Sequence, residues 1–287
     1  MSVPVAATGT VGGALRIATA RLAACSDSPR LDAELLLEAV LERPRSALYA
    51  HPEAILAPAL AARFGALLTR RAAGEPIAYL LGRIGFWTLT LTVTPAVLVP
   101  RPETELLIEQ ALVRLPDGRA RVADLGTGSG AIALALASER PGWQILGTDL
   151  SPAALALARH NAGALELGRV AWLRTRWCAG LASDGFDLIV SNPPYIAADD
   201  PHLAALTHEP ATALVAGAGG LSDLAAIAQQ AGRCLRPGGW LLLEHGHTQG
   251  AALARLLRDA GWCEISLHRD LGDRGRVSAA RRPGATT

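Results

Sequence analysis

Phe186-Asp187-Leu188-Ile189-Val190-Ser191-Asn192-Pro193-Pro194-Tyr195-Ile196 is the stretch on which the reading of this chain turns. An apolar run ends at a polar stop, and two prolines then forbid any further sheet. Proline cannot donate to a ladder, and it drives the residue before it towards extended geometry. The spacing predicts a buried strand closing at Ser191, with Asn192 just past its carboxyl end. In open α/β sheets that edge is where ligands bind. Pro193 and Pro194 lack N–H donors but keep their carbonyls. With the Asn192 amide they form a cluster rich in acceptors, and Tyr195 adds a flat aromatic face. Such a pocket suits a planar group carrying an NH2, either a carboxamide or the amino edge of a base. The plainer reading is a strand followed by a proline turn; the apolar run before it and the tyrosine after it favour a site.

Around this stretch, strands and helices alternate from Arg121 onward. Strands are predicted at 121–124, 144–149, 170–173 and 240–244, with two more near 264–268 and 277–280. Helices are predicted at 131–138, from Ser151-Pro152, and at 221–235 and 248–260. Pro237-Gly238-Gly239 is expected to turn the chain into the strand that follows, and residues 281–287 to form a frayed tail. Such alternation means an α/β fold: a mostly parallel sheet with helices on both faces.

Asp124-Leu125-Gly126-Thr127-Gly128-Ser129-Gly130 lies between a predicted strand and helix. Glycines there let backbone approach a ligand closely, and the helix start offers free N–H groups. Asp149 ends the next strand, at the spacing expected of a carboxylate that accepts ribose hydroxyls. Gly126, Gly128 and Ala131 also satisfy the dinucleotide fingerprint, so a nicotinamide enzyme is an alternative at this point. Glycine rather than serine at the centre of the run argues against a nucleophile elbow.

The amino-terminal part reads differently. Residues 1–13 are small and aperiodic, a flexible arm. Leu15, Ala18 and Leu22 then recur at helical spacing, and Asp32 begins a run with Leu35, Leu36, Ala39 and Val40. A third run over 57–73 stops at Gly74. Residues 14–85 are expected to be a helical domain that docks a substrate. Arg63, Arg70 and Arg71 would suit an acidic partner, although a solvated helix face is the plainer reading. Residues 86–100 alternate as a hairpin linker, and 101–287 form the second domain, opening on Arg101-Pro102-Glu103-Thr104-Glu105 as a helix start.

Composition narrows the function. The 287 residues carry a net charge of +1, and all 27 basic residues are arginine. Without lysine there is no Walker-type phosphate loop and no Schiff-base chemistry. The near-neutral charge gives no electrostatic case for nucleic-acid binding. Cys25, Cys178, Cys234 and Cys263 have no metal or redox spacing, which fits a reduced cytoplasm. No signal peptide or membrane span is expected. His245 and His247 lack companion ligands, so no metal is expected.

A glycine loop after the first strand, an acid after the second and Asn-Pro-Pro-Tyr after the fourth resemble the S-adenosylmethionine-dependent amino-group methyltransferases. The resemblance is closer still to the release-factor glutamine methyltransferase family (PrmC/HemK). It is carried by Gly74 to Gly82, Phe86 with Leu89, Leu98 to Glu105, Asp124 to Ala135, Ser191 to Ile196, Glu209-Pro210 and Gly238 to Gly246. It implies a helical amino-terminal domain, a hairpin and a seven-stranded Rossmann-like methyltransferase domain. It also implies N5-methylation of the glutamine in the Gly-Gly-Gln motif of peptide chain release factors, with S-adenosylhomocysteine as the second product.

On that resemblance, Thr127 to Gly130 meet the cofactor's amino-acid part, Asp149 its ribose and Trp177 its adenine. Gly126, Gly128 and Asn192 complete the cofactor site. Asn192 Oδ1 and the Pro193 carbonyl accept the two amide protons, Pro194 and Tyr195 complete the pocket, and Phe86 walls it. The family carries an aspartate where Arg176 stands. Either Arg176 points to water and Trp177 holds adenine by stacking, the expected case, or a nearby carboxylate such as Asp184 or Asp187 replaces the acceptor. Two other classes remain open: an adenine-N6 nucleic-acid methyltransferase, which would want a basic groove, and a non-catalytic release-factor-binding protein. A monomer is expected.

Overall fold

The computed structural model describes residues 9–284; most of the expected amino-terminal arm and the last three residues of the expected tail lie outside them. The chain divides into two compact units between Arg83 and Ile84.

The first unit contains α1 (Val11–Leu22), α2 (Pro29–Leu41), α3 (Arg45–Ala50), α4 (Pro58–Ala72) and α5 (Ile77–Leu81). α1 begins before the expected Ala14, because extended Thr10 caps it, its hydroxyl accepting from Gly13 N at 3.3 Å. Leu15, Ala18 and Leu22 enter the core with Leu36, Leu37, Val40, Phe64 and Leu68. The α2 stripe is rotated one residue from the expected one, and Leu35 and Ala39 are only partly buried. α4 ends where expected: Gly74 follows at φ 95°, a conformation that favours glycine. Two of the arginines considered for an acidic partner are used within the unit. Arg71 pairs with buried Asp32 at 2.7 Å, and Arg70 pairs with Glu75. Arg63 is exposed.

The hairpin is β1 (Arg83–Phe86) and β2 (Leu89–Thr92). Phe86 and Leu91 are buried in the core of the second unit, beside residues of the sheet. After a 3-10 turn at Pro102–Thr104 come α6 (Glu105–Arg114), β3 (Arg121–Leu125), α7 (Ala131–Glu139), β4 (Gln144–Asp149) and α8 (Pro152–Ala164). Next are β5 (Ala171–Arg174), β6 (Phe186–Ser191), a kinked turn α9 (Gly217–Gly220) and α10 (Ser222–Cys234). β7 (Leu235–Glu244), α11 (Gly250–Asp259), β8 (Cys263–Arg269) and β9 (Gly275–Arg281) complete the unit.

Seven strands form one sheet in the order β5-β4-β3-β6-β7-β9-β8. β3 to β7 run parallel, and β9 is antiparallel to β7 and to β8. Alternation along each strand divides the core. Val122, Leu188, Val190 and Leu242 face one side with α6, α7 and the hairpin. Ala123, Leu125, Ile189, Leu241 and Leu243 face the other with α10 and α11. β6 is buried along its whole length, as its unbroken apolar run requires of a strand covered on both faces. The Pro237-Gly238-Gly239 turn is instead taken into β7, at a register irregularity against β6. The expected tail is paired at its start: Arg282 N donates to Gly239 O at 2.8 Å. Chain order reverses at β3 and β6, so the crevice for a ligand opens beyond their carboxyl ends.

Candidate active site

β3 and β6 end side by side, with Leu125 opposite Ser191. Gly126 and Asn192, the next residue of each, therefore leave the sheet as neighbours. Ser191 Oγ donates to Leu125 O at 2.7 Å and fastens the two exits together. Between them opens a cavity of about 580 Å³, whose lining includes Gly126, Thr127, Gly128, Ser129, Asp149, Trp177, Asn192 and Pro194. Leu98, Pro100, Thr104 and Asp223 also line it.

The glycine loop holds its shape through its own polar groups. Thr127 N donates to Thr148 O at 2.8 Å, and Gly128 N donates to Asp149 Oδ2 at 3.0 Å. Ser151 N occupies Asp149 Oδ1 at 2.8 Å. Buried Asn161 donates to Ser129 O at 2.9 Å and meets both backbone groups of Thr92, so the loop is tied to the hairpin. Gly126 and Gly128 have φ of 73° and 56°. A side chain at Gly126 would meet the Trp177 ring at 3.3 Å, whereas the space beside Gly128 is open. Trp177 itself has φ 47°, and its indole Nε1 is buried with no partner among the described residues. Gly130 lies behind the cavity, where it caps α7 with φ 85°.

Asp124 is fully buried, and burial pushes its carboxyl up to about 7 against the pull of the Thr127 hydroxyl and the Ala133 amide. Thr127 Oγ1 donates to Asp124 Oδ2 at 2.6 Å. Between the ordinary carboxylate pKa and this raised value, the unfolded chain releases the proton while the native chain keeps it. Stability therefore falls as pH rises from about 4 to about 7. Asp124→Asn should flatten part of that decline, read as a smaller loss of melting temperature between pH 5 and pH 8. An unchanged decline would mean that Asp124 titrates normally.

Asn192 is half-buried, and its Nδ2 donates to Thr104 Oγ1 at 3.1 Å. The end of its amide left for the cavity is the oxygen. Pro194 lines the cavity and Pro193 is buried. Tyr195 and Phe86 are not brought to this lining. The Tyr195 hydroxyl donates to Glu244 Oε1 at 3.2 Å, and burial pushes its phenol upward. Phe86 points inward at the end of β1, 2 % exposed, because strand alternation places it on the core side of the hairpin.

Arg176 does extend to water, its side chain 71 % exposed. The carboxylates nearby in sequence, Asp184 and Asp187, lie elsewhere. Asp184 pairs with Arg282, and Asp187 bonds Arg121 N at the opposite end of β6. The carboxylate beside Arg176 on the cavity is Asp223, 3.8 Å from its Nη2. Sequence reasoning passed over Asp223, Asn161, Thr104 and Glu244. Glu244 carried a signal, an acid closing an apolar strand as Asp149 does. His245 bonds Ser278 Oγ and Gly246 O, both at 2.9 Å.

Residues 13–82 match the PrmC N-terminal domain family, and residues 102–221 the methyltransferase small domain family. The chain is 52% identical over 258 residues to the release factor glutamine methyltransferase of Xylella fastidiosa, covering 89% of this chain and 94% of that protein. The Escherichia coli protein of the same name is 49% identical over 269 residues, covering 93% and 97%. Among solved structures, a methyltransferase from Pyrococcus furiosus superposes with a TM-score of 0.53 at 17% identity, covering 75% of this chain and 97% of that one. Ribosomal protein L11 methylase from Lactobacillus delbrueckii does so at 0.51 and 22% identity, covering 67% and 84%. The sheet, the glycine loop and the acid that ends β4 are those of an S-adenosylmethionine-dependent methyltransferase. Within that class, the chain belongs to the release factor glutamine methyltransferase family.

Proposed function

We propose that this enzyme transfers the methyl group of S-adenosylmethionine to the side-chain amide nitrogen of the glutamine in the Gly-Gly-Gln motif of peptide chain release factors. The observation that carries the chemistry is the Asn192 amide at the cavity edge, its nitrogen taken by Thr104 and its oxygen left for a donor. The named relatives support the substrate.

The cavity residues fit the cofactor. Glycine backbone at Gly126 and Gly128 leaves room for its amino-acid part, and Thr127 and Ser129 flank it. Asp149 keeps lone pairs for ribose hydroxyls, and Trp177 offers a ring for adenine. When bound, the cofactor supplies a methyl group on a cationic sulfonium. The amide nitrogen is a poor nucleophile because its lone pair is delocalised. Asn192 Oδ1 and the Pro193 carbonyl would accept hydrogen bonds from its two N–H groups, shift electron density towards nitrogen and fix its direction. After methyl transfer the nitrogen would carry one proton too many, which it would give up to water. Orientation and fixed dipoles carry most of the effect, and no covalent enzyme intermediate is needed. Tyr195 braces the segment from behind, its hydroxyl on Glu244 and its carbonyl on Gln249.

Label transfer from methyl-tritiated S-adenosylmethionine to an intact release factor, its Gln→Ala variant and a DNA duplex tests the reading. Label on the parent factor alone is the expected result. Label on DNA would instead favour an adenine methyltransferase.

For the adenine end, Trp177→Ala should weaken S-adenosylmethionine binding about tenfold or more. Asp223→Ala should cost about 1 kcal/mol, the usual net worth of one hydrogen bond, because Asp223 then no longer accepts from the adenine amino group. Calorimetric titration reads both, and unchanged binding in Asp223→Ala would leave adenine to stacking alone.

The helical unit is proposed to dock the release factor. The second unit has its own core on both faces of the sheet. A chain lacking residues 1–81 should keep cofactor binding yet methylate intact factor at least about tenfold less efficiently, through a raised KM. Equal efficiency would remove docking from the helical unit. The enzyme is further proposed to act as a cytoplasmic monomer; no helix among the described residues is long and apolar enough to cross a membrane.

A further inference from the structure

The loop that follows the Asn-Pro-Pro-Tyr segment is closed at its base. Ile196 N donates to Leu214 O, and Ala216 N to Ile196 O, both at 2.9 Å. Between Ala197 and Ala213 one residue alone is buried, and it is an acid: Glu209, its side chain 2 % exposed. No apolar side chain of this stretch is buried with it. A segment with so little hydrophobic hold belongs to the parts of a fold that open most easily.

The Glu209 carboxylate is engaged at both oxygens. Oε2 accepts from Val99 N at 3.0 Å, and Oε1 pairs with Arg101 Nη2. Both partners lie on the strap between β2 and α6. The cavity lining that the strand exits do not supply comes chiefly from these two segments. Leu98 and Pro100 line it from the strap, and Pro210, Thr212 and Ala213 from the loop. Leu98 and Pro100 flank Val99, and Pro210 follows Glu209. One buried carboxylate therefore joins the two halves of this wall.

Every atom of the junction belongs to the protein. No group of a bound molecule takes part, so its strength adds equally to the filled and to the empty cavity. A contact that does not distinguish two states cannot shift the balance between them. It can slow passage from one to the other, in both directions alike.

We propose that Glu209 is the latch of a gate, formed by the 197–213 loop and the strap, that sets how fast S-adenosylmethionine enters the cavity and its product leaves. The proposal rests on the reading of this cavity as the cofactor site. The ion pair is the stronger part of the latch, because a hydrogen bond between two charged groups is roughly twice as strong as a neutral one. Glutamine at this position would keep an oxygen for Val99 N and lose the charge opposite Arg101. The wall would keep its shape and open more often.

The test compares the full-length parent with Glu209→Gln, Arg101→Leu and Arg101→Lys. Stopped-flow tryptophan fluorescence follows S-adenosylhomocysteine binding and release. In Glu209→Gln both the association and the dissociation rate constants should rise about tenfold, the worth of one charged hydrogen bond, while their ratio stays within about threefold of the parent. Arg101→Leu breaks the same pair from its partly exposed side and should act in the same direction, which reads the gate even where Glu209→Gln fails to fold. Arg101→Lys keeps a cation for Oε1 and should stay within about threefold on both rates. Parental rates in Glu209→Gln and Arg101→Leu would overturn the proposal. So would equal acceleration in Arg101→Lys, or faster dissociation alone with lost affinity, which would make Glu209 a support for ligand contacts and not a gate.

A second measurement needs no ligand. Hydrogen exchange of the Val99 backbone amide should quicken about tenfold in Glu209→Gln, while amides of β6 keep their parental rates. Unchanged exchange at Val99, or equal quickening in β6, would overturn the proposal. A parent that does not bind S-adenosylhomocysteine, with exchange quickened at Val99 in the variant, would sink the cofactor assignment and keep the latch.

Discussion

Asn192→Ala should leave a folded enzyme that binds cofactor nearly as well as the parent and turns over about 100- to 1,000-fold more slowly, the range seen when one fixed dipole is removed from a transition state. The loss should fall on kcat rather than KM, because the amide oxygen matters most as nitrogen gives up its delocalised lone pair. The backbone has independent support here. Ser191 Oγ is bonded to Leu125 O, Pro193 is buried, and the Tyr195 carbonyl accepts from Gln249 Nε2 at 2.9 Å. Truncation at Asn192 removes a functional group and leaves that frame. Single-turnover kinetics with labelled cofactor, beside calorimetric titration, measures both parts. Parental turnover in a folded variant would end the assignment of Asn192 as acceptor.

Gly126→Val should have the largest effect on cofactor affinity, a loss of about 100-fold or more. Two costs act together. The residue sits at φ 73°, where a β-branched side chain is strained by about 1–3 kcal/mol. Its Cβ would also stand 3.3 Å from the Trp177 ring, so the ring must move from the face proposed for adenine. Gly128→Ala is the informative companion. At Gly128 nothing lies within 4 Å of an added Cβ, so the free protein should lose only about 1–2 kcal/mol to backbone strain. Any larger loss of affinity there reports the ligand itself. Melting curves and calorimetry of both variants separate damage to the fold from damage to the site. A Gly126→Val enzyme with parental affinity would show that the glycine loop is not where the cofactor lies.

The parts legible in the sequence were those fixed by local chemistry. β6 could be read because an apolar run must be covered on both faces, and because Pro193 and Pro194 end it. The glycine loop and Asp149 could be read because each sits at a strand end, where a change from apolar to polar marks the sheet edge. The parts that could not be read depend on which residues face each other across long separations. Thr104 and Asn192 are bonded, yet no local signal ties them together. Phe86, which the family resemblance makes a pocket wall, is turned inward by strand alternation and packing against the sheet. Asp223 is far from Trp177 along the chain, and only the placement of α10 brings it to the same cavity. Pro237 entered β7 because the register shift against β6 leaves room for a residue without a donor.

The joint between Leu125 and Ser191 also has a mechanical meaning. The segments bearing Gly126 and Asn192 start from one rung near the centre of the sheet, and a single short bond, Ser191 Oγ to Leu125 O, ties them. Neither has a lever arm over which thermal displacement could grow before it reaches the reacting atoms. A displacement of the shared rung moves both segments together and changes the gap between them little. An enzyme that must hold a weak nucleophile in line with a small electrophile benefits from low compliance along that one axis, whatever flexibility the loops keep in the others.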